Sequence, residues 1–260
     1  LLCLFLLLAE VAARGRARYA RVGSGAVATP ERIPLGGYQA GAQLALLALV
    51  GAALGLPLWF VVRWTVRGAA QTVPADLLGA LGTSLGYGAA TAVLTVAAAF
   101  PLAYLAVRRP NRTTRTLEAS TYVSSAMPGI VIGLALVTVS IRALPDLYQS
   151  ATVLILAYVL LFLPRAAVGL RAGLAQAPVS LEEAARALGA PPPIAFARIT
   201  LRLTAPASAA GAALVFLAVT NELTATLILA PNGTRTLATE FWAKSSEIDY
   251  AGAAPYALAM

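Results

Sequence analysis

Histidine is absent from this 260-residue chain, cysteine occurs once, at Cys3 in an apolar run, and lysine once, at Lys244. Those absences exclude a disulfide framework, zinc held by His and Cys, acid/base chemistry resting on imidazole, and a Cys-His nucleophile pair. A phosphate-cradling loop needs Gly directly before its Lys, and Lys244 follows Ala243. Nucleotide hydrolysis through such a loop is excluded as well. We expect no catalytic residues, no metal ligands and no cofactor. Charge is also scarce, 12% of residues against 59% hydrophobic, with a mean hydropathy of +0.78. A soluble domain is never so apolar, and the composition places the chain in a membrane.

The few charges are unequal in sign: 19 Lys and Arg face 11 Asp and Glu, a net charge of +8. A polytopic membrane protein becomes basic in this way when its internal loops are rich in Arg, so no nucleic-acid partner is needed to explain the excess. Crossing the hydrocarbon core takes roughly 20 apolar residues in a helix. Five windows of about that length are complete: Gly41 to Val62, Gly79 to Val107, Ala119 to Ile141, Leu147 to Pro164 and Leu203 to Ala230, with partial segments at 1–9 and 250–260. The expected fold is therefore all-α, a polytopic membrane bundle of five complete spans and partial ones at both ends. Loops 10–40, 108–118 and 165–202 hold 5, 4 and 5 basic residues, against 2, 1 and 2 in 63–78, 142–146 and 231–249. Short cytoplasmic loops retain Arg and Lys, so this alternation puts loop 165–202 in the cytoplasm.

Arg14, Arg16, Arg18 and Arg21 lie among Gly, Ser and Pro in the segment Arg14 to Gly37, which reads as a linker with topogenic charge. Three units are expected: 1–40, the end of an earlier span and that cytoplasmic linker; 41–78, a first span and outer loop; and 79–260, the core. The chain begins at Leu1 and stops at Met260, each inside an apolar run, and it reads as part of a longer polypeptide. Gly51/Gly55, Gly82/Gly86 and Gly129/Gly133 have the small-xxx-small spacing that lets helices approach closely, without naming a partner.

The segment Pro178 to Arg202 reads PVSLEEAARALGAPPPIAFARITLR. Ser180 and Glu183 have capping-box spacing, which predicts a helix from Leu181; Gly189 and Pro191–Pro193 predict its end after Leu188. Leu181, Ala184, Ala185 and Leu188 follow the i, i+3, i+4, i+7 pattern of one apolar face. Two turns are not stable alone in water, so that face must be covered, by its own bundle or by another protein. On the residues alone both remain open.

Glu183-Ala184-Ala185, Gly189 four positions later, and then Ile199 and Leu201 resemble the EAA loop of membrane subunits of binding-protein-dependent ABC importers. Arg202 departs from that pattern, which has Pro there; Pro206 follows shortly. The resemblance implies that Leu181, Glu183, Ala184, Ala185, Leu188 and Gly189 form a coupling helix docked on a separate cytoplasmic ATP-binding subunit. It covers roughly 79–260, and Leu214 to Leu237 with Trp242 and Tyr250 is similar to the second half of ferric-iron type permeases. A bacterial cell-membrane permease without its own ATPase site is thereby implied. Its expected partners are the ATP-binding subunit, an external substrate-binding protein, membrane lipid, and either the other half of the same chain or a second permease subunit. Ferric iron is the implied substrate, with thiamine, phosphonate, sulfate or polyamine as alternatives.

Asn221 and Glu222 interrupt the last apolar window. An ionisable group at membrane depth is costly, which makes these two candidates for the translocation path, Glu222 toward the outer interface. A carboxylate hydrogen-bonded to a neighbouring Ser or Thr is the competing reading. Pro101 and Pro128-Gly129 break other spans, and the 231–249 loop predicts a turn at Asn232-Gly233 followed by an interfacial segment anchored by Trp242 and Tyr250. An ion-driven secondary transporter would bury more ionisable groups than Glu222 alone.

Overall fold

The computed structural model describes residues 36–68 and 74–260. The segment 1–9 and nearly all of the Arg-rich linker lie outside the described residues. Among the described residues every regular element is helical. The first span, Gly36–Arg67, joins α1 (Gln39–Val50) to α2 (Leu56–Arg67) through a π-helical turn at Gly51–Gly55. There follow α3 (Leu77–Arg108), α4 (Arg112–Ala126), α5 (Gly129–Ala143), α6 (Ala151–Gln176) and α7 (Val179–Ala187). After them come α8 (Pro192–Ala195), a π-helical segment Phe196–Leu201, α9 (Arg202–Thr220), α10 (Thr224–Leu229), α11 (Leu237–Ser246) and α12 (Tyr250–Ala259).

Among the described residues four helices are long and apolar enough to cross a membrane: Gly36–Arg67, Leu77–Arg108, Ala151–Gln176 and Pro192–Thr220. The fifth window, 119–141, is not one straight rod, because α4 and α5 meet at a bend of 106°. Pro128 explains the bend: it sits in extended backbone at φ −59 and ψ 143 and removes the amide that would continue α4. Two boundaries also move. The fourth window ends at Pro164, yet α6 runs on to Gln176, since a proline inside a long packed helix costs one hydrogen bond without ending it. The last span begins at Pro192 rather than Leu203 and ends at Thr220, before Asn221. Pro191 is the N-cap there and Pro192 and Pro193 occupy the first turn, where a missing amide has no helical partner to lose.

The core is made by α3, α6 and α9. One face of α3 is a run of small buried residues, Ala80, Ser84, Gly88, Thr91, Ala92, Thr95, Ala99 and Ala103. Opposite it α6 supplies the bulk, with Leu154, Tyr158, Leu170 and Leu174 all almost fully buried. Lipid is as apolar as leucine, so close packing of small against large residues has to hold such helices together. Gly88 shows how close they come: a Cβ there would stand 2.9 Å from the Phe216 ring of α9. Of the three glycine pairs, Gly51/Gly55 and Gly82/Gly86 face open space, whereas Gly129 and Gly133 lie against Glu222, Thr224 and Ile228.

Contacts between chain ends fix which connections share a side. Arg108 Nη2 donates to Ala177 O at 3.1 Å, which brings the ends of α3 and α6 together. At the opposite end Asn232 donates to Gln149 at 3.2 Å and Arg235 is paired with Asp76. These are the two groups of loops that the arginine count separates. The first span has no buried residue and meets the bundle through Trp64, whose ring lies 5.5 Å from that of Tyr250, and Gly68, next to Ala251. Loop 231–249 turns at Gly233, φ +82, and continues as α11, whose Thr236 and Thr239 form a capping box.

Candidate functional site

Two places in the bundle carry the candidate residues. The first is α7, which stands with the Arg108–Ala177 contact on the Arg-rich side. Its start differs from expectation: Pro178 is the N-cap, α7 begins at Val179, and no side chain caps it. Pro178, held near φ −65 and ψ 133, already supplies the extended residue that a cap requires, so Ser180 falls inside the first turn and the capping box does not form. The end is as expected. Gly189 takes φ +90, its amide donates to Arg186 O at 3.0 Å, and the Ala190 amide reaches back to Ala185 O at 3.0 Å. That pair of bonds is the Schellman closure, which a left-handed glycine permits.

No residue of α7 is buried. Leu181 is 47% exposed and Leu188 is 90% exposed, so the apolar stripe is not covered by the described part of its own bundle. A polar contact ties α7 to the last span. Thr200 Oγ1, in the π-helical segment, donates to Glu182 Oε2 at 2.6 Å. Glu182 is not among the residues expected from the sequence, because its partner lies 18 residues away across a proline turn and no local spacing announces the contact.

The second place is the break between α9 and α10. Asn221 closes α9: its Nδ2 donates to Leu217 O at 2.7 Å. Glu222 stands just before Leu223, the N-cap of α10: its Oε1 accepts from the Ala225 amide at 2.8 Å and from Thr224 Oγ1 at 3.0 Å. A carboxylate at a helix start satisfies an amide that has no helical partner and favours the local dipole. Glu222 is half-buried, and Oε2 has no hydrogen-bond partner among the described residues. This break faces the other one. A Cβ on Gly129, one residue past Pro128, would stand 3.2 Å from both Glu222 Oε1 and Thr224 Oγ1. Behind it, Tyr158 and Thr226 hydroxyls meet at 2.6 Å, and Thr226 donates to Glu222 O at 2.7 Å. Two interrupted helices thus meet at a polar cluster, the arrangement membrane proteins tolerate where unpaired backbone is buried in protein or lines a cavity. Among the described residues no group of three or more Cys, Asp or Glu is arranged to hold a metal.

The family described as the binding-protein-dependent transport system inner membrane component matches residues 95–260. The Fe(3+)-transport system permease protein FbpB 2 of Haemophilus influenzae is 34% identical over 208 residues, which are 79% of this chain and 41% of that protein. The chain therefore spans about two fifths of the length of the curated relative it matches.

Proposed function

The chain belongs to the binding-protein-dependent transport system inner membrane components, and from that premise we propose that it is a permease unit of an ATP-driven importer whose α7 docks on a separate ATP-binding subunit. The observation that carries this reading is the uncovered stripe of α7, with Leu188 90% exposed at the Arg-rich end of the bundle. Two turns of helix need a covering partner to hold an apolar face in water. The described bundle leaves the face free for one. Ala184 and Ala185 at its centre allow a partner's backbone to come close, and Glu183 stands beside them.

In this reading the ATP-binding subunit supplies all nucleotide chemistry, an external binding protein delivers the substrate, and a second half, in the same polypeptide or another subunit, completes the path. Asn221 and Glu222 line that path or its outer gate, with Glu222 Oε2 as the oxygen left for a cation. Ferric iron is the substrate class we favour, because the relative named for Fe(3+) transport aligns across most of this chain. ATP closure moves the docked α7, and the bundle rocks as a rigid body between inward-open and outward-open states. The test is capture of the ATP-binding subunit by the complete permease. Leu188→Asp, at a side chain almost wholly exposed in its own chain, abolishes capture if the reading is right; undiminished capture overturns it.

A further inference from the structure

Glu182 faces away from the apolar stripe, yet among the described residues it makes the side-chain hydrogen bond that joins α7 to the last span. Its partner Thr200 is 1% exposed. Thr200 lies within the π-helical segment Phe196–Leu201, a wide turn of a kind that concentrates at functional positions. That segment is firmly seated on α3: the Phe196 ring meets Phe100 at 6.1 Å and Tyr104 at 5.4 Å, both edge to face. Below it Thr204 donates to Thr200 O at 2.8 Å, continuous with α9. On the far side of the bond, α7 is a nine-residue helix with no buried residue, flanked by Pro178 and by the left-handed Gly189. A hydrogen bond to a carboxylate is among the strong ones, and this one is anchored in a buried hydroxyl.

We propose that Glu182 is a positioning residue: by accepting from the buried Thr200 hydroxyl it makes α7 and the beginning of the last span one lever, so that a push on α7 reaches α9 instead of being lost at residues 188–191. The inference rests on the docking reading and adds to it the element that transmits the motion. Arg108, donating to Ala177 O at 3.1 Å, ties the end of α6, just before α7, to α3. The last span packs on both α3 and α6, so a displacement that reaches α9 through Thr200 moves the bundle as a unit.

Thr200→Val tests this cleanly, because a residue 1% exposed touches no partner protein and valine keeps the shape while removing the hydroxyl. In the complete permease with its ATP-binding subunit, and with Cys3→Ser, spin labels at Val179→Cys and Leu203→Cys report the separation of α7 from α9. The parent gives one narrow distance, the same without nucleotide and with ATP plus vanadate. Thr200→Val gives the parent distance without nucleotide and a shift of about 2 Å or more with ATP plus vanadate. Glu182→Ala does the same, and Thr200→Ser restores the parent behaviour. An unmoved distance in both variants overturns the proposal, and so does equal broadening with and without nucleotide, which marks a merely structural bond. A shift in Glu182→Ala without one in Thr200→Val overturns it as well. Failure of the parent to capture the ATP-binding subunit brings down the docking reading and the lever together, whereas a coupled parent with silent variants removes the lever alone.

Discussion

Gly129 lies so close to Glu222 that a Cβ on the glycine would stand 3.2 Å from the carboxylate oxygen that accepts from the Ala225 amide in the first turn of α10. The same Cβ would stand 3.2 Å from Thr224 Oγ1, so neither neighbour can swing aside without losing its hydrogen bond to the other. Two helix breaks, at Pro128 and at Asn221–Leu223, are therefore held in register by the absence of one side chain. Gly129→Leu should force α5 away from α10 and lower stability by about 1–3 kcal/mol, the usual cost of overpacking. Gly82→Leu, where nothing lies within 4 Å, should change it little. Thermal unfolding of the two variants in detergent distinguishes them; equal midpoints would show that the close approach is not maintained.

The polar cluster behind that contact has a direction. Thr226 has one hydroxyl proton and gives it to Glu222 O, so in the 2.6 Å contact the Tyr158 hydroxyl must donate and Thr226 accept. Tyr158→Phe removes a donor and leaves Thr226 satisfied, at an expected cost of about 0.6 kcal/mol. Thr226→Val strands a buried tyrosine hydroxyl and a backbone carbonyl together, at about 1–3 kcal/mol. The order of the two unfolding midpoints is the test, with Tyr158→Phe the milder; a reversed order would mean the hydroxyls are linked the other way round.

How far each feature is legible in the sequence depends on how local its signal is. The membrane class, the helical fold and the sidedness of loops rest on composition summed over many residues. The closure of α7 is readable because Gly189 and three prolines are adjacent in the chain. Its start is not, because two local signals compete there, and Pro178 fixes the extended cap before Ser180 can. The same three prolines mark both the end of one helix and the start of the next, and only the first of these meanings is evident from the chain. Asn221-Glu222-Leu223 contains neither Gly nor Pro, so nothing marks the break as a stop, and only the cost of a charge at depth points to Glu222. Its bonds to Thr224 and Ala225 answer to the competing reading, a carboxylate satisfied by its neighbours, while leaving Oε2 free of partners among the described residues. The Glu182–Thr200 bond and the facing of Gly129 on Glu222 are properties of packing, which no short-range pattern encodes.

The contact of α6 with α9 allows a sharper test of packing. A methyl group on Gly173 would overlap the Ala207 Cβ, whereas one on Gly169, a turn earlier in the same helix, meets nothing within 4 Å. Alanine is the better helix former by about 1 kcal/mol, so propensity alone predicts that both substitutions stabilise. Packing reverses the sign at one of them. Gly169→Ala should be neutral or slightly stabilising, and Gly173→Ala should destabilise by about 1–3 kcal/mol as two core helices are pushed apart. Unfolding midpoints in detergent compare the pair. If Gly173→Ala proves harmless, α6 and α9 are not in close contact there.

The end of α7 depends on one backbone angle. At φ +90, Gly189 occupies a conformation that L side chains rarely adopt, although open space surrounds it. Crowding is thus not the obstacle to a side chain, and conformation is. Gly189→Ala should cost about 1 kcal/mol, and the cost should fall on the last turn because the two closing bonds, Gly189 N to Arg186 O and Ala190 N to Ala185 O, both require the left-handed residue. Asparagine tolerates that region better than other side chains, so Gly189→Asn should lie between Ala and the parent. Amide hydrogen exchange at Leu188, residue 189 and Ala190 reads the effect directly: exchange should rise about fivefold in Gly189→Ala and less in Gly189→Asn, with α6 unchanged. Because Leu188 is the most exposed part of the stripe, capture of an ATP-binding subunit should weaken in the same order. Unaltered exchange in Gly189→Ala would mean that the turn after α7 closes by some other geometry.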